Sequence, residues 1–68
     1  MLTVADRIRG YLAERSITNL ELSRMTGIDP TALSKALNNK RKIDVNEYIL
    51  IIKALNLNAG AFLEPASA

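Results

Sequence analysis

The sequence predicts one small all-α domain of five helices. The chain has 68 residues, which is enough for a single hydrophobic core and not for a second one. Apolar residues make up 49% of the chain but only three are aromatic, so a core must consist mainly of aliphatic side chains. Short polar residues that cap helices recur along the chain, each followed by apolar residues at helical spacing.

Capping patterns predict where the helices begin. Thr18 with Glu21 and Asp44 with Glu47 have the spacing of capping boxes. Pro30 follows the cap residue Asp29 and takes the first helical position, where proline is favoured. Thr3 with Asp6, and Asn58 between Leu57 and Phe62, mark two further starts. The five predicted helices span residues 3–15, 18–25, 29–38, 44–55 and 58–63.

Helix ends and apolar spacing complete the predicted fold. Gly27 and Asn39 stand where helices need a left-handed residue to end. The domain is expected to cover residues 1–63, followed by a disordered tail over residues 64–68. The predicted core consists of one face of the first helix and one face of the fourth, packed around Leu22 and Leu33; these faces contain Val4, Ile8 and Leu12, and Val45, Tyr48, Ile51 or Ile52, and Leu55.

The composition excludes several classes of protein. With no Cys and no His, the chain has no disulfides, no usual zinc site, no thiol nucleophile and no histidine general base. The acidic residues are either helix caps or dispersed, so we expect neither an enzyme nor a bound cofactor or metal. A signal peptide pattern and an apolar run of about 18 residues are both absent, which favours a cytoplasmic protein without membrane contact.

Basic residues are concentrated in one segment. Residues 30–43 contain Lys35, Lys40, Arg41 and Lys42 and no acidic residue. Since the whole chain carries +2 and this segment +4, the remaining residues sum to −2. The segment covers the second of two short predicted helices, which are joined by a tight turn at Gly27, and the basic loop that follows. This is the arrangement of a helix-turn-helix that enters the DNA major groove.

The run from Ile17 to Leu63 resembles the Cro and phage-repressor (XRE-like, lambda repressor-like) helix-turn-helix family. Together with the first helix, the likeness covers about 60 of the 68 residues. It rests on the cap at Thr18, on the Asn-Asn-Lys loop, on "IIKALNL" near the end, and on Leu22, Gly27, Ile28 and Leu33. The resemblance implies a five-helix fold with the second helix over the phosphate backbone and the third in the major groove.

Site residues follow from the same resemblance. The groove-facing positions of the family fall on Pro30, Thr31 and Ala32, and one turn later on Ser34 and Lys35. Lysine donates to guanine O6 or N7, and a hydroxyl can donate to one base or accept from another. Lys35 fits a phosphate contact equally well. We predict base contacts by Thr31, Ser34, Lys35 and Arg41, and phosphate contacts by Thr18, Asn19, Asn38, Lys40 and Lys42.

Several positions depart from the family pattern. A buried Arg–Glu pair common in the family is replaced by Leu12 and Leu37, which we expect to pack together; an apolar pair can replace a buried ion pair without loss of stability. The loop glycine of the family is Asn39. Thr26 stands where an apolar residue is typical, so either its hydroxyl bonds to a backbone carbonyl or Met25 partly replaces the packing.

The fourth helix carries more apolar residues than one core-facing stripe needs. Residues 48–52 are consecutively apolar and cannot all point inward. One interpretation is a two-fold homodimer interface, which would place two recognition helices about 34 Å apart on a palindromic site. The alternative is that these residues close the far side of a small core. The predicted interface comprises Ile49, Leu50, Ala59, Phe62 and Leu63.

Two functions are therefore considered. The first is a sequence-specific transcriptional regulator that acts on double-stranded DNA in the nucleoid of a bacterial or phage-infected cell. We favour a repressor over an activator. The second is an antitoxin-like protein-interaction module, which would bind a protein partner through the apolar surface. Substitution of Lys35 and Arg41 would abolish the first function and spare the second.

Overall fold

The computed structural model describes residues 2–62, which form four α-helices and no strand. The helices are α1 (Val4–Glu14), α2 (Asn19–Thr26), α3 (Pro30–Leu37) and α4 (Val45–Ala54). The all-α class and the order of these four helices agree with the sequence prediction.

None of the helices in residues 2–62 has the length and apolar character that crossing a membrane requires.

The predicted fifth helix is not present in the described residues. Residues 59–62 form turns, and the backbone N–H of Ala61 donates to the carbonyl of Asn58 over 2.9 Å. Gly60 disfavours the first helical turn, whose formation is the costly step in making a helix. Residue 63 and the predicted tail, 64–68, lie outside the described residues.

All four helices begin at the predicted cap residues. Thr18 Oγ1 accepts from the N–H of Glu21 over 3.1 Å, and the Glu21 carboxylate accepts from the N–H of Thr18 over 2.9 Å. The starts of α1 and α4 have the same reciprocal capping box, and Asp29 accepts from Ala32 N–H at the start of α3. These bonds satisfy backbone donors that have no partner inside the helix.

The tight turn between α2 and α3 is fixed by its backbone and by two hydroxyl groups. Gly27 has φ +77°, as predicted for the end of α2. Thr26 Oγ1 donates to the carbonyl of Leu22 over 2.9 Å and accepts from the N–H of Ile28 over 3.2 Å. Buried Ser23 donates to the carbonyl of Ile28 over 2.5 Å. Thr26 therefore takes the predicted carbonyl bond, while the side chain of Met25 is exposed.

The core lies between α3 and the two helices α1 and α2, and between α2 and α4. Leu12 and Leu37, which occupy the positions of the family's ion pair, both belong to the buried cluster. Val45 was predicted in the core and is 72% exposed, which corrects that prediction. Val45 is the first residue of α4, so no preceding turn of this helix covers its side chain. The largest fully buried side chains are Ile8, Leu22, Leu33, Leu37 and Ile51.

Phe62 is part of this core and not of the surface. Its side chain is only 4% exposed, and its ring packs edge-on against Tyr11 with centroids 5.5 Å apart and an angle of 82°. The hydroxyl of Tyr48 donates to the carbonyl of Ala59, which holds the same segment against α4. The prediction of Phe62 as a dimer contact is therefore wrong, because the monomer itself buries this side chain.

We predict that Leu37→Ala destabilises the domain by about 2–5 kcal/mol, because it leaves a cavity in the interior of the core. Leu20→Ala is the matched control: it removes the same atoms from a side chain that is 50% exposed on α2, and should cost less than about 1 kcal/mol. Urea unfolding followed by circular dichroism measures both. Equal losses would contradict the assigned burial.

Candidate nucleic-acid interface

The two sides of α3 have opposite character. Leu33, Ala36 and Leu37 are buried, and an α-helix advances 100° per residue, so Thr31 and Lys35 lie on the opposite side. Both of these side chains are exposed. Packing of the apolar stripe therefore fixes which polar residues α3 presents outward.

Four predicted DNA-contacting residues lie together at the end of α3. The side-chain amide of Asn38 donates to the carbonyl of Ser34 over 2.8 Å and to its Oγ over 3.3 Å. The backbone N–H of Lys40 donates to the carbonyl of Lys35 over 2.8 Å. Ser34, Lys35, Asn38 and Lys40 line one open cleft. Asn38 thus also caps the end of α3, a role that the sequence did not indicate.

The start of α2 holds the two predicted phosphate contacts Thr18 and Asn19, both exposed. The amide N–H of Thr18 is already bonded to Glu21, and its hydroxyl oxygen accepts a bond from the same residue. The hydroxyl hydrogen of Thr18 is the group that it can offer to a phosphate oxygen. Asn19 is the first residue of α2, close to the positive end of the helix dipole.

Arg41 is turned toward α4. Its Nη1 and Nη2 donate to the two carboxylate oxygens of Glu47 over 2.8 and 2.6 Å, and Nη1 also donates to the carbonyl of Lys42 over 3.1 Å. The hydrogen bond from Arg41 lowers the pKa of Glu47, and the same bond raises the pKa of Arg41. The sequence identified Glu47 only as a capping residue and missed this pairing, because the loop conformation that produces it has no local signal.

The loop is attached to α1 as well. Asn39 has φ +61°, the predicted left-handed conformation, and its side-chain amide donates to Asp6 Oδ1 over 2.9 Å. Thr3 Oγ1 donates to the side-chain oxygen of Asn39 over 2.8 Å. The pKa of Asp6 falls from 3.8 to about 2, mainly through the backbone N–H of Thr3 and then through Asn39. The side chains of Lys40 and Lys42 are exposed on this fixed loop.

The predicted dimer residues divide into three groups. Ile49 and Leu50 are 43% and 42% exposed, and Ala59 is exposed as well. Phe62 is buried, and Leu63 lies outside the described residues. The outward orientation of Ile49 and Leu50 agrees with the sequence analysis.

The acidic side chains of residues 2–62 do not form a metal site. Within residues 2–62, no group of three or more comes together in a way that could hold a metal ion.

The comparisons with known proteins identify the family. A family model described as helix-turn-helix, of the XRE type with Cro-like and CI-like members, matches residues 8–62. The match spans well over half of the chain and includes α2, α3, the basic loop and α4. The chain therefore belongs to this family, whose domains bind DNA. No curated protein and no solved structure matches the chain.

We predict that Asp6 makes stability depend on pH in acid. Because its pKa is lowered in the folded chain, its contribution is complete above about pH 4 and is lost as the pH falls toward 2. Asp6→Asn should therefore lower stability near neutral pH, and the difference from wild type should shrink below pH 4. Urea midpoints between pH 2.5 and 7 measure this difference.

Asn39→Ala is the companion variant, because it removes one of the bonds that lower the pKa of Asp6. Its acid loss should be smaller than that of wild type and complete at a higher pH, because the pKa of Asp6 in the folded variant lies closer to 3.8. A wild-type minus Asp6→Asn difference that is constant across this pH range would contradict the assigned network.

Proposed function

We propose that the chain is a sequence-specific, double-stranded DNA-binding transcriptional regulator that acts as a repressor and inserts α3 into the major groove. The observation that carries this proposal is the outer face of α3, where exposed Thr31 and Lys35 lie opposite the core. Half-buried Ser34 lies beside Lys35 in the cleft that Lys40 of the basic loop also lines. Membership of a DNA-binding family supports the same function.

Each contact has a chemical basis. Lys35 donates to guanine O6 or N7, while the hydroxyls of Thr31 and Ser34 donate or accept, and the Thr31 methyl can meet a thymine methyl. Arg41 is proposed as a fourth base contact. The proposed phosphate contacts hold the domain in register on the backbone; they are Thr18, Asn19, Asn38, Lys40 and Lys42.

The charge distribution favours the same orientation. Lys35, Lys40, Arg41 and Lys42 lie on α3 and the following loop, and no acidic residue lies between Asp29 and Asp44. Each phosphate that a cation neutralises releases counterions, so the slope of log K against log salt should change by about −0.9 per contact.

Dimeric binding is proposed through the outer side of α4. Val45 and Ile49 are one helical turn apart and exposed, and Leu50 extends the apolar surface. A pair of domains related by a two-fold axis would present two α3 helices to a palindromic operator, with half-sites about 34 Å apart. If the operator lies in a promoter, the bound dimer covers that promoter, which accounts for repression. The setting proposed is the nucleoid of a bacterial or phage-infected cell.

A second function is supported by the amount of exposed apolar surface. Besides Ile49 and Leu50, an open groove of about 570 Å³ lies between the start of α1, the loop and the start of α4. Its apolar lining includes Val4, Ala5, Ile43, Val45 and Tyr48. A protein-interaction module of the antitoxin type would use such a surface for a protein partner, and would tolerate substitution of Lys35.

We predict that selection from random double-stranded DNA, followed by sequencing, enriches a palindromic motif. On the best fragment, Lys35→Ala should weaken binding by about 1–3 kcal/mol and relax the preference at one base pair per half-site. Lys53→Ala, an exposed lysine on α4, is the matched control and should keep the motif. If no motif is enriched and binding stays weak at low salt, the interaction-module function is favoured.

We predict that Ile49→Glu converts the dimer into a monomer, because a charge placed in an apolar interface has no partner there. Met25→Glu places the same charge on an exposed apolar position of α2 and should leave the dimer intact. Sedimentation equilibrium without DNA measures both masses. A monomeric wild-type protein, or dissociation in both variants, would contradict this interface.

A further inference from the structure

The carboxylate of Glu47 makes a contact that capping alone does not require. It accepts from the N–H of Asp44 over 3.1 Å in the capping box of α4, and it also receives both Nη groups of Arg41. We propose that Glu47 is a positioning residue, which holds Arg41 so that one edge of its guanidinium faces the DNA. This inference rests on the proposed function.

The N–H donors of the planar Arg41 guanidinium fall into two sets, one bonded within the protein and one on the opposite edge of the group. A guanidinium has five N–H donors, and three of them are used here: both on Nη1, toward Glu47 and Lys42, and one on Nη2, toward Glu47. The N–H of Nε and the second N–H of Nη2 remain on the other edge. Within residues 2–62, no hydrogen bond from that edge is recorded for Arg41. Two parallel N–H groups form the fork that pairs with guanine O6 and N7 or with phosphate oxygens.

The carboxylate is itself held in place. Its bond to Asp44 ties it to the first turn of α4, and its side chain is 20% exposed, compared with 33% for Arg41. The carbonyl of Lys42 fixes the guanidinium from a second side. An arginine that is already ordered loses less side-chain freedom on binding, and its contact has a defined direction.

Two effects of Glu47 on DNA binding have opposite signs, which makes the proposal testable. Its negative charge, taken alone, repels phosphate, so its removal would tighten binding to any DNA. Its positioning of Arg41 favours one geometry, so its removal would weaken binding to the selected site. The sign of the effect on that site therefore decides between the two.

The experiment measures binding of the full chain to the selected fragment and to a scrambled fragment. Glu47→Gln keeps the size of the side chain and removes its charge and one carboxylate oxygen. Glu14→Gln removes the same charge from an exposed position on α1 and is the matched control. Arg41→Ala, alone and combined with Glu47→Gln, completes a double-mutant cycle. Thermal unfolding of every variant shows that each is folded at the binding temperature.

The expected result is a loss on the order of tenfold on the selected site for Glu47→Gln, a loss at least as large for Arg41→Ala, and no further loss in the double variant. Glu14→Gln should bind as wild type. A loss confined to fragments with guanine at one position assigns the fork to a base, and a uniform loss across fragments assigns it to phosphate; both support the proposal.

Two results would overturn it. Tighter binding of Glu47→Gln to the selected site would show that Glu47 only repels DNA or withholds Arg41. An equal loss from Glu47→Gln in the Arg41→Ala background would show that Glu47 acts through stability and not through Arg41. If the wild-type chain selects no DNA, the proposed function fails and this inference with it, whereas wild-type selection with an unaffected Glu47→Gln variant overturns this inference alone.

Discussion

The packing of α3 against α1 and α2 is the interaction on which the rest of the structure depends. A helix of eight residues is not stable in water by itself, so α3 exists because Leu33, Ala36 and Leu37 are buried. The same burial fixes the rotation of α3 about its axis. The packing of the core therefore also determines that Thr31 and Lys35 point outward. If the core packing were lost, this arrangement of the two side chains would be lost with it.

The parts of the fold that local chemistry decides could be predicted from the sequence. A cap residue such as Thr18 acts on an N–H three residues away, and Gly27 acts within its own turn, so both signals lie within a short window of sequence. The outward positions on α3 follow from helical spacing once its apolar stripe is recognised. Residue 58 has a cap signal too, but no helix follows it in the described residues, because a cap alone does not offset the cost of the first helical turn, which Gly60 raises.

The contacts that hold the loop could not be predicted, because they join residues that are distant in sequence or depend on the loop conformation. Asn39 meets Asp6 across 33 positions, and a spacing of that length has no helical or strand period. Phe62 looked like surface because the apolar run in α4 supplies more side chains than one stripe can bury. Its inward position depends on the room left beside Tyr11, which only the packed structure shows.

Asn39 also shows how one residue type changes the character of a loop. Where the resembled family commonly has glycine, this chain has a side chain in a left-handed backbone conformation, which disfavours most residues other than glycine. In return, the side chain bonds to both Thr3 and Asp6. A glycine would relax the backbone and release the loop from α1. Exchange between these two residues during evolution would thus tune the stiffness of the basic loop without altering a single DNA-facing side chain.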